Sequence, residues 1–227
     1  MKENTRVLIF MKIPASGLVK TRLACAIGAE SALELYVKMV RHTMEMVEKS
    51  GFQANIFYKG DGNPAEHFSA FVPSFPAMPQ IGTDLGERMA NGFRHVFEKG
   101  ADSAILIGCD IPQLTVEILE NANRHLKSND IVFGPAEDGG YYLIGFNRET
   151  FVPEVFRDIP WGTGTVLTDT LFRTKSLGLN ARMVAPLIDI DTGADLDRLY
   201  RLWTDDAPEE NTVYQWLRHH AGLKEMK

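Results

Sequence analysis

The chain has 227 residues, 44% of them apolar, and a formal net charge of −6. That length suits one large domain with a sizeable core. The acidic balance argues against life on a nucleic acid polymer, whose protein partners are normally basic.

The N-terminus runs Met1-Lys2-Glu3-Asn4-Thr5-Arg6 into a short apolar stretch with no small-residue cleavage pattern, so no signal peptide is expected. No run approaches the ~18 apolar residues of a membrane span. Val7 to Met11 reads as a buried strand, and Ile13-Pro14-Ala15-Ser16-Gly17 as loop. Residues 29–50 read as a helix, with Leu33, Val37, Val40, Met44 and Val47 at helical spacing and Gly51 as its stop. Ala54 to Tyr58 is a second strand, and the proline-rich stretch Gly60 to Gln80 is mostly loop. Asp84 to Lys99 follows as a helix with Leu85, Met89, Phe93, Val96 and Phe97 on one face. Next come a strand at Ala104–Gly108, a helix at Thr115–Lys127, a strand at Asp130–Phe133, and a strand at Tyr141–Phe146 that could run antiparallel. Thr163 to Lys175 reads as a helix, Arg182 to Val184 as a strand and Asp195 to Trp203 as a helix, and Pro208 opens a last helix through His219. Such alternation predicts an α/β fold with a mostly parallel sheet covered on both faces. A single domain spans 1–227, with a C-terminal helical segment from about 206.

Polar groups gather where the strands end, which in open α/β sheets is where ligands bind. Gly17, Lys20, Thr21 and Arg22 follow the first strand. They form either a loop that holds phosphates or a solvated basic turn, without the spacing of a Walker A loop. Asp110 stands just past an apolar strand, where an acid has no packing role. It can cap a turn or hold Mg²⁺. Asp189 and Asp191 fall on one face of an extended segment and repel unless a cation or solvent relieves them. Asp191 could instead cap the next helix. Glu137-Asp138-Gly139-Gly140-Tyr141 can be a hairpin turn, an acceptor pocket or both, with Asp138 as a base or a partner to a metal. Gly82-Thr83-Asp84-Leu85-Gly86 enters a helix N-terminus, where Asp84 is a cap or part of an anion or base site. Trp161-Gly162-Thr163-Gly164 carries half a dinucleotide fingerprint. The two cysteines, Cys25 and Cys109, are too few for a disulfide framework and read as buried thiols of a cytoplasmic protein. The six histidines lie apart, without metal-ligand spacing.

As a set, Lys20-Thr21-Arg22-Leu23, Thr83 to Met89, Gly108-Cys109-Asp110-Ile111-Pro112, Glu137 to Gly145, Pro160-Trp161 and Asp189-Ile190-Asp191-Thr192 resemble an uncharacterised bacterial family of the nucleotide-diphospho-sugar transferase superfamily. That family has been labelled a radical-SAM-associated glycosyltransferase. It is similar to phospholactate guanylyltransferase and, more distantly, to molybdopterin guanylyltransferase. The resemblance covers residues 5 to 204. It implies a Rossmann-like (GT-A) three-layer α/β/α sandwich with a mostly parallel mixed sheet, and Mg²⁺ or Mn²⁺ on Asp110 and Asp191, with Asp189 beside them. It further implies phosphates on Lys20 and Arg22 and the base at Gly82 to Gly86, so that Pro14, Gly17, Lys20, Arg22, Gly82, Asp84, Leu85 and Gly86 bind the nucleotide. Glu137, Gly139, Gly140, Tyr141 and Trp161 would shape the acceptor side, and Lys20, Arg22 and Asp138 would be catalytic.

Many GT-A glycosyltransferases carry Asp-x-Asp at the metal strand. Here position 108 is Gly and Asp110 stands alone, which is closer to a nucleotidyltransferase. The expected activity is therefore glycosyl transfer from an NDP-sugar to a small acceptor, or nucleotidyl transfer from an NTP with release of pyrophosphate. A non-catalytic nucleotide-binding module is a further alternative. Val213, Trp216 and Leu217 on the last helix offer either a homodimer contact or core packing.

Overall fold

Alternate residues of strand β1 (Thr5–Lys12) face opposite cores. Val7, Ile9 and Met11 enter one apolar cluster, while Leu8 and Phe10 enter the other. A strand buried on both faces has no need of polar alternation, which explains the uninterrupted apolar run. The structure, a computed structural model, describes residues 4–62, 75–203 and 210–220.

Six further strands complete the sheet: β2 (Gln53–Lys59), β3 (Ala77–Pro79), β4 (Ser103–Ile107), β5 (Ile131–Pro135), β6 (Tyr141–Asn147) and β7 (Ala181–Met183). The seven-stranded order is β3-β2-β1-β4-β6-β5-β7. Every pairing among the described residues is parallel except those of β6, which runs antiparallel to both β4 and β5. The mostly parallel mixed sheet and its reversed strand match expectation.

The cluster containing Val7 packs beneath helices α2 (Ala29–Ser50), α4 (Val116–Leu126), α6 (Gly193–Trp203) and α7 (Thr212–His220). The cluster containing Leu8 packs beneath α3 (Leu85–Glu98), α5 (Val166–Ser176) and a 3-10 turn at Pro153–Phe156. Its centre is aromatic: Phe93 meets Phe146 edge to face with centroids 5.1 Å apart, and Phe151 and Phe156 close around them. Helices on both faces make the three-layer sandwich.

Several local expectations need correction. A short helix, α1 (Thr21–Ile27), occupies what read as a bare lead-in to α2. The stretch expected as loop from Gly60 to Gln80 contains β3, and its residues 63–74 lie outside the described residues. Helix α5 starts at Val166 rather than Thr163, because Thr163 Oγ1 donates to the Pro160 carbonyl at 2.8 Å and holds the preceding residues in a turn. The last helix starts at Thr212, where Asn211 Oδ1 accepts from the amides of Val213 and Tyr214 at 2.9 and 3.2 Å. Pro208 lies outside the described residues. The face of that helix considered for a homodimer contact, Val213, Trp216 and Leu217, is buried in the core. Cys109 is buried as expected, but Cys25 is exposed. Among the described residues, no helix is long and apolar enough to cross a membrane.

Candidate functional site

Strand β1 lies between β2 and β4, so the chain leaves it in one direction and returns to the sheet on its other side. At such a switch point the loops part and leave a crevice at the carboxyl edge. A cleft of about 580 Å³ occupies this place. Of the expected site residues, Lys20, Arg22, Leu85, Asp110, Asp138, Gly140, Tyr141, Trp161, Asp189 and Asp191 line it.

Lys20 is the structural centre of this cleft. It caps α1 in a left-handed backbone conformation, with φ 49°, and its side chain is only 4% exposed. Its ammonium lies 3.0 Å from Asp110 Oδ1 and 2.7 Å from Asp191 Oδ1. Burial alone would lower the Lys20 pKa, but the two carboxylates outweigh it and hold the value above the ordinary one. Burial likewise pushes Asp191 up, and Lys20 outweighs it with help from Arg22 and Lys12, so Asp191 lies below the usual range. Arg22 Nη1 stands 4.0 Å from Asp191 Oδ2, with its guanidinium largely exposed. Asp189 behaves differently: burial first, then Asp138 and Asp191, push it up to about 6.

Asp191 is free to face Lys20 because another residue caps α6. Thr192 Oγ1 accepts from the Asp195 amide at 3.3 Å, and Asp195 Oδ2 accepts from the Thr192 amide and hydroxyl at 2.6 and 2.7 Å. This reciprocal capping box replaces Asp191 in the capping role considered above. The segment carrying Asp189 and Asp191 also lies outside the named strands, joined to the sheet by a lone bridge between Ala136 and Leu187.

Asp110 and Asp191 suit a hard divalent cation. Both are acceptor-only carboxylates that already converge on one positive charge. Asp110 Oδ1 is buried without a well-directed hydrogen bond, so its ionic contact with Lys20 is what neutralises it. Mg²⁺ is commonly held by one or two carboxylates, with phosphate and water completing its shell. Among the described residues, no group of three or more His, Cys, Asp or Glu forms a ready metal cage.

The turn from Ala136 to Gly140 brings Asp138 to the cleft. Asp138 Oδ1 accepts from the Gly140 amide at 2.8 Å, and Ala136 donates to the Gly140 carbonyl at 3.0 Å. Gly139, with φ 90°, lies so close to Gly164 that a Cβ would strike the Gly164 carbonyl. The two glycine-rich loops therefore lock together, placing Trp161 beside Tyr141 with ring centroids 6.5 Å apart. Glu137 turns away and pairs with Arg198 at 2.6 Å.

Other expected residues sit back from the cleft. Asp84 caps α3 by accepting from the Glu87 amide at 2.8 Å, and Glu87 returns the contact to Thr83. Gly86 is a packing glycine, since a Cβ there would lie 2.8 Å from Trp161 Cζ2. Gly82, with φ 144°, permits the sharp entry into α3. Pro14 and Gly17 shape the loop before Lys20 without lining the cleft, and neither Gly82 nor Gly139 lines it.

Three cleft residues escaped the sequence reading. Tyr36, on α2, donates its hydroxyl to the Lys12 carbonyl at 2.9 Å and accepts from the Lys12 amide at 2.8 Å, fixing the end of β1. Gln80 reaches back from the end of β3. Lys59 is the register partner of Lys12. A signal for this last pair existed: two neighbouring apolar strands each end in lysine.

Comparison with known proteins agrees with this fold. The family model described as "Uncharacterized protein conserved in bacteria (DUF2064)" matches residues 42–163, more than half of the chain. A solved structure from Desulfovibrio desulfuricans G20, provisionally assigned as a nucleotide-diphospho-sugar transferase, is 34% identical. It covers 99% of this chain and 98% of its own, with a TM-score of 0.92. A phosphoenolpyruvate guanylyltransferase of Chloroflexus aurantiacus is 23% identical over 202 residues, 85% of this chain and 94% of that protein. One from Sphaerobacter thermophilus is 25% identical over 183 residues, 79% of this chain and 86% of that protein. The chain is a transferase and belongs to the bacterial DUF2064 family, within the nucleotide-diphospho-sugar transferase superfamily.

Proposed function

We propose that the protein is a nucleotidyltransferase that joins an NTP to a small anionic acceptor and releases pyrophosphate. The observation that carries this reading is the buried Lys20 ammonium between Asp110 and Asp191, with Arg22, Lys12 and Lys59 in the same cleft. In nucleotidyl transfer an acceptor oxygen bonds to the α-phosphorus. The bond from that phosphorus to the bridging oxygen breaks, and its electron pair leaves on pyrophosphate. Charge builds on the departing side, where preorganised cations act best.

Lys20 and Arg22 would donate to oxygens of the departing diphosphate. Asp110 and Asp191 would hold Mg²⁺ or Mn²⁺, which when bound supplies charge neutralisation across the phosphates. Asp138 keeps one oxygen on the Gly140 amide and has the other to orient the acceptor, or to take a proton from a hydroxyl acceptor. The relatives named phosphoenolpyruvate guanylyltransferases support GTP as the donor and a phosphorylated small acid as the acceptor.

Glycosyl transfer from an NDP-sugar is the second reading. It is favoured by the wall of Tyr141 and Trp161, which suits the apolar face of a sugar ring. Pyrophosphate release decides between the two. Incubation with each NTP, Mg²⁺ and phosphorylated three-carbon acids should yield pyrophosphate and a nucleotidylated product. Sugar transfer from an NDP-sugar, without pyrophosphate from any NTP, would overturn the first reading in favour of the second.

A further inference from the structure

The segment that carries Asp189 and Asp191 leaves the sheet before it reaches the cleft. Leu187 still bonds to β5, donating its amide to the Pro135 carbonyl at 3.1 Å. Beyond it, Ile188 and Ile190 bury their side chains in the core, while Asp189 and Asp191 line the cleft. Two amides of this segment turn to the loop after β4. Ile190 donates to the backbone carbonyl of Asp110 at 3.0 Å. Ile188 donates to the side chain of Gln113, whose Oε1 accepts at 3.0 Å. The oxygen assignment is forced, because an amide N–H needs an acceptor and Oε1 is the only one that glutamine offers. Gln113 therefore supplies a rung where β4 has already ended.

The loop that holds Gln113 is itself braced. The Leu114 amide donates to the Ile111 carbonyl at 3.1 Å, closing a four-residue turn with Pro112 in its second place. Ile111 and Leu114 anchor the turn in the core. Asn211, buried at the start of α7, donates from Nδ2 to the Pro112 carbonyl at 3.0 Å, while its Oδ1 caps the helix. A path of contacts thus runs from α7 through Pro112 and Gln113 to the backbone between Leu187 and Asp189. The spacing it fixes matters to the acids. Lys20 meets Asp110 Oδ1 and Asp191 Oδ1 at 3.0 and 2.7 Å at once. A Mg²⁺ ion demands ligand oxygens at about 2.0–2.1 Å, so it tolerates less drift. The bond at Ile190 alone would leave the segment able to pivot; a second bond two residues away, ~7 Å along an extended chain, fixes its direction.

We propose that Gln113 is a positioning residue that sets the spacing of Asp110 and Asp191 for a divalent cation. It acts through the Ile188 amide and does not line the cleft itself. The inference rests on the reading of those two acids as holders of the cation. It also gives α7 a part in the site, because Asn211 steadies the turn from which Gln113 reaches.

The test compares the full chain with its Gln113→Leu and Gln113→Glu variants. Leucine removes the acceptor, and glutamate keeps an acceptor oxygen. Gln113→Met, whose thioether accepts only weakly, stands in if the leucine variant fails to fold. The first readout is amide hydrogen exchange by NMR, without metal or nucleotide. In the leucine variant the Ile188 amide loses its acceptor outright, and the Ile190 amide should exchange about tenfold faster with it, because the segment opens as a unit. The glutamate variant should keep both amides close to wild type. The second readout is calorimetric titration with GTP, ATP, CTP and UTP over a series of Mn²⁺ concentrations. For the NTP that wild type binds best, the Mn²⁺ concentration needed for half-maximal binding should rise at least ~tenfold in the leucine variant, the scale of losing a group that orients a metal ligand. Affinity for that NTP at saturating Mn²⁺ should change less than about threefold, which a general structural fault would not spare. Faster exchange confined to Ile188, an unchanged Mn²⁺ requirement, or a glutamate variant that exchanges as fast as the leucine variant overturns the role of Gln113 and leaves the metal-nucleotide reading standing. A wild type that binds no NTP in a Mn²⁺-dependent way overturns both.

Discussion

Lys20 and Asp191 are 171 positions apart in sequence, yet Nζ and Oδ1 lie 2.7 Å apart at the floor of the cleft. Lys20 also holds Asp110, so one ammonium ties the loop after β1 to the loops after β4 and before α6. Its replacement leaves two facing carboxylates without a counter-charge. Lys20→Met should destabilise the protein by about 1–3 kcal/mol, below the full cost of breaking a buried pair because both acids are partly solvated. Urea unfolding measures this. Added Mn²⁺ should restore part of the loss in the variant and do much less for wild type, where the ammonium already occupies the carboxylates. Equal Mn²⁺ effects on the two proteins would contradict a shared cation position.

Asp110→Asn preserves the shape of the side chain while removing its charge. Pyrophosphate release should fall at least ~100-fold, the scale of losing a charged group that acts on the transition state. The melting temperature should stay close to that of wild type, because the side chain is partly exposed and makes no hydrogen bond that packing depends on. Normal turnover in this variant would remove Asp110 from the chemistry.

Two glycines separate close approach from backbone conformation. Both Gly139 and Gly162 have positive φ, at 90° and 83°. Only Gly139 faces an obstacle, the Gly164 carbonyl; nothing stands within 4 Å of a Cβ at Gly162. Gly162→Ala should therefore cost about 1 kcal/mol from backbone strain alone. Gly139→Ala should cost about 2–4 kcal/mol and impair activity, since it forces apart the loops carrying Asp138 and Trp161. Thermal melts of the two variants measured together would show the difference.

His42 couples pH to the segment behind Asp110. Its ring lies on α2, with Nε2 3.3 Å from the Leu114 carbonyl. Burial is the largest influence and holds its pKa below the ordinary value of 6.5. The folded state therefore binds fewer protons than the unfolded chain, and stability rises with pH across this window. The contribution is present above about pH 6.5 and is lost as pH falls through the lower folded-state value. Denaturation at about pH 7.5 and about pH 5.5 should show a drop in wild type that is smaller in His42→Gln. An identical drop in both would clear His42 of this role.

Long elements were legible because their periodicity is repeated many times. Helix α2 presents several turns of apolar residues, and β1 and β4 are unbroken apolar runs. The elements that escaped are short: α1 has seven residues with only Leu23 buried, and β3 has three and ends in proline. At that length pattern carries little information, and tertiary contacts decide. In the site, Asp110 and Asp191 stood out as acids following apolar runs. The competition for the α6 cap was settled by Asp195, whose contacts with Thr192 become visible only when the side chains are placed. Gln80 and Tyr36 were hidden for a related reason. Their partners are backbone atoms of other strands, and nothing in their local sequence marks them.

The reversed direction of β6 has a consequence for how the site can change. Had β6 run parallel to its neighbours, the chain leaving β5 would have needed a crossover to the opposite end of the sheet. Instead a turn of five residues, Ala136 to Gly140, suffices, and it sits directly over the cleft. One flank of the cleft is thus anchored by parallel strands whose ends are fixed by neighbours on both sides. The other flank is a hairpin tip, the kind of place where sequence can be exchanged with least damage to a fold. Grafting the tip from a relative, together with its Gly164 counterpart, is a route to a new acceptor preference on an unchanged nucleotide-handling frame.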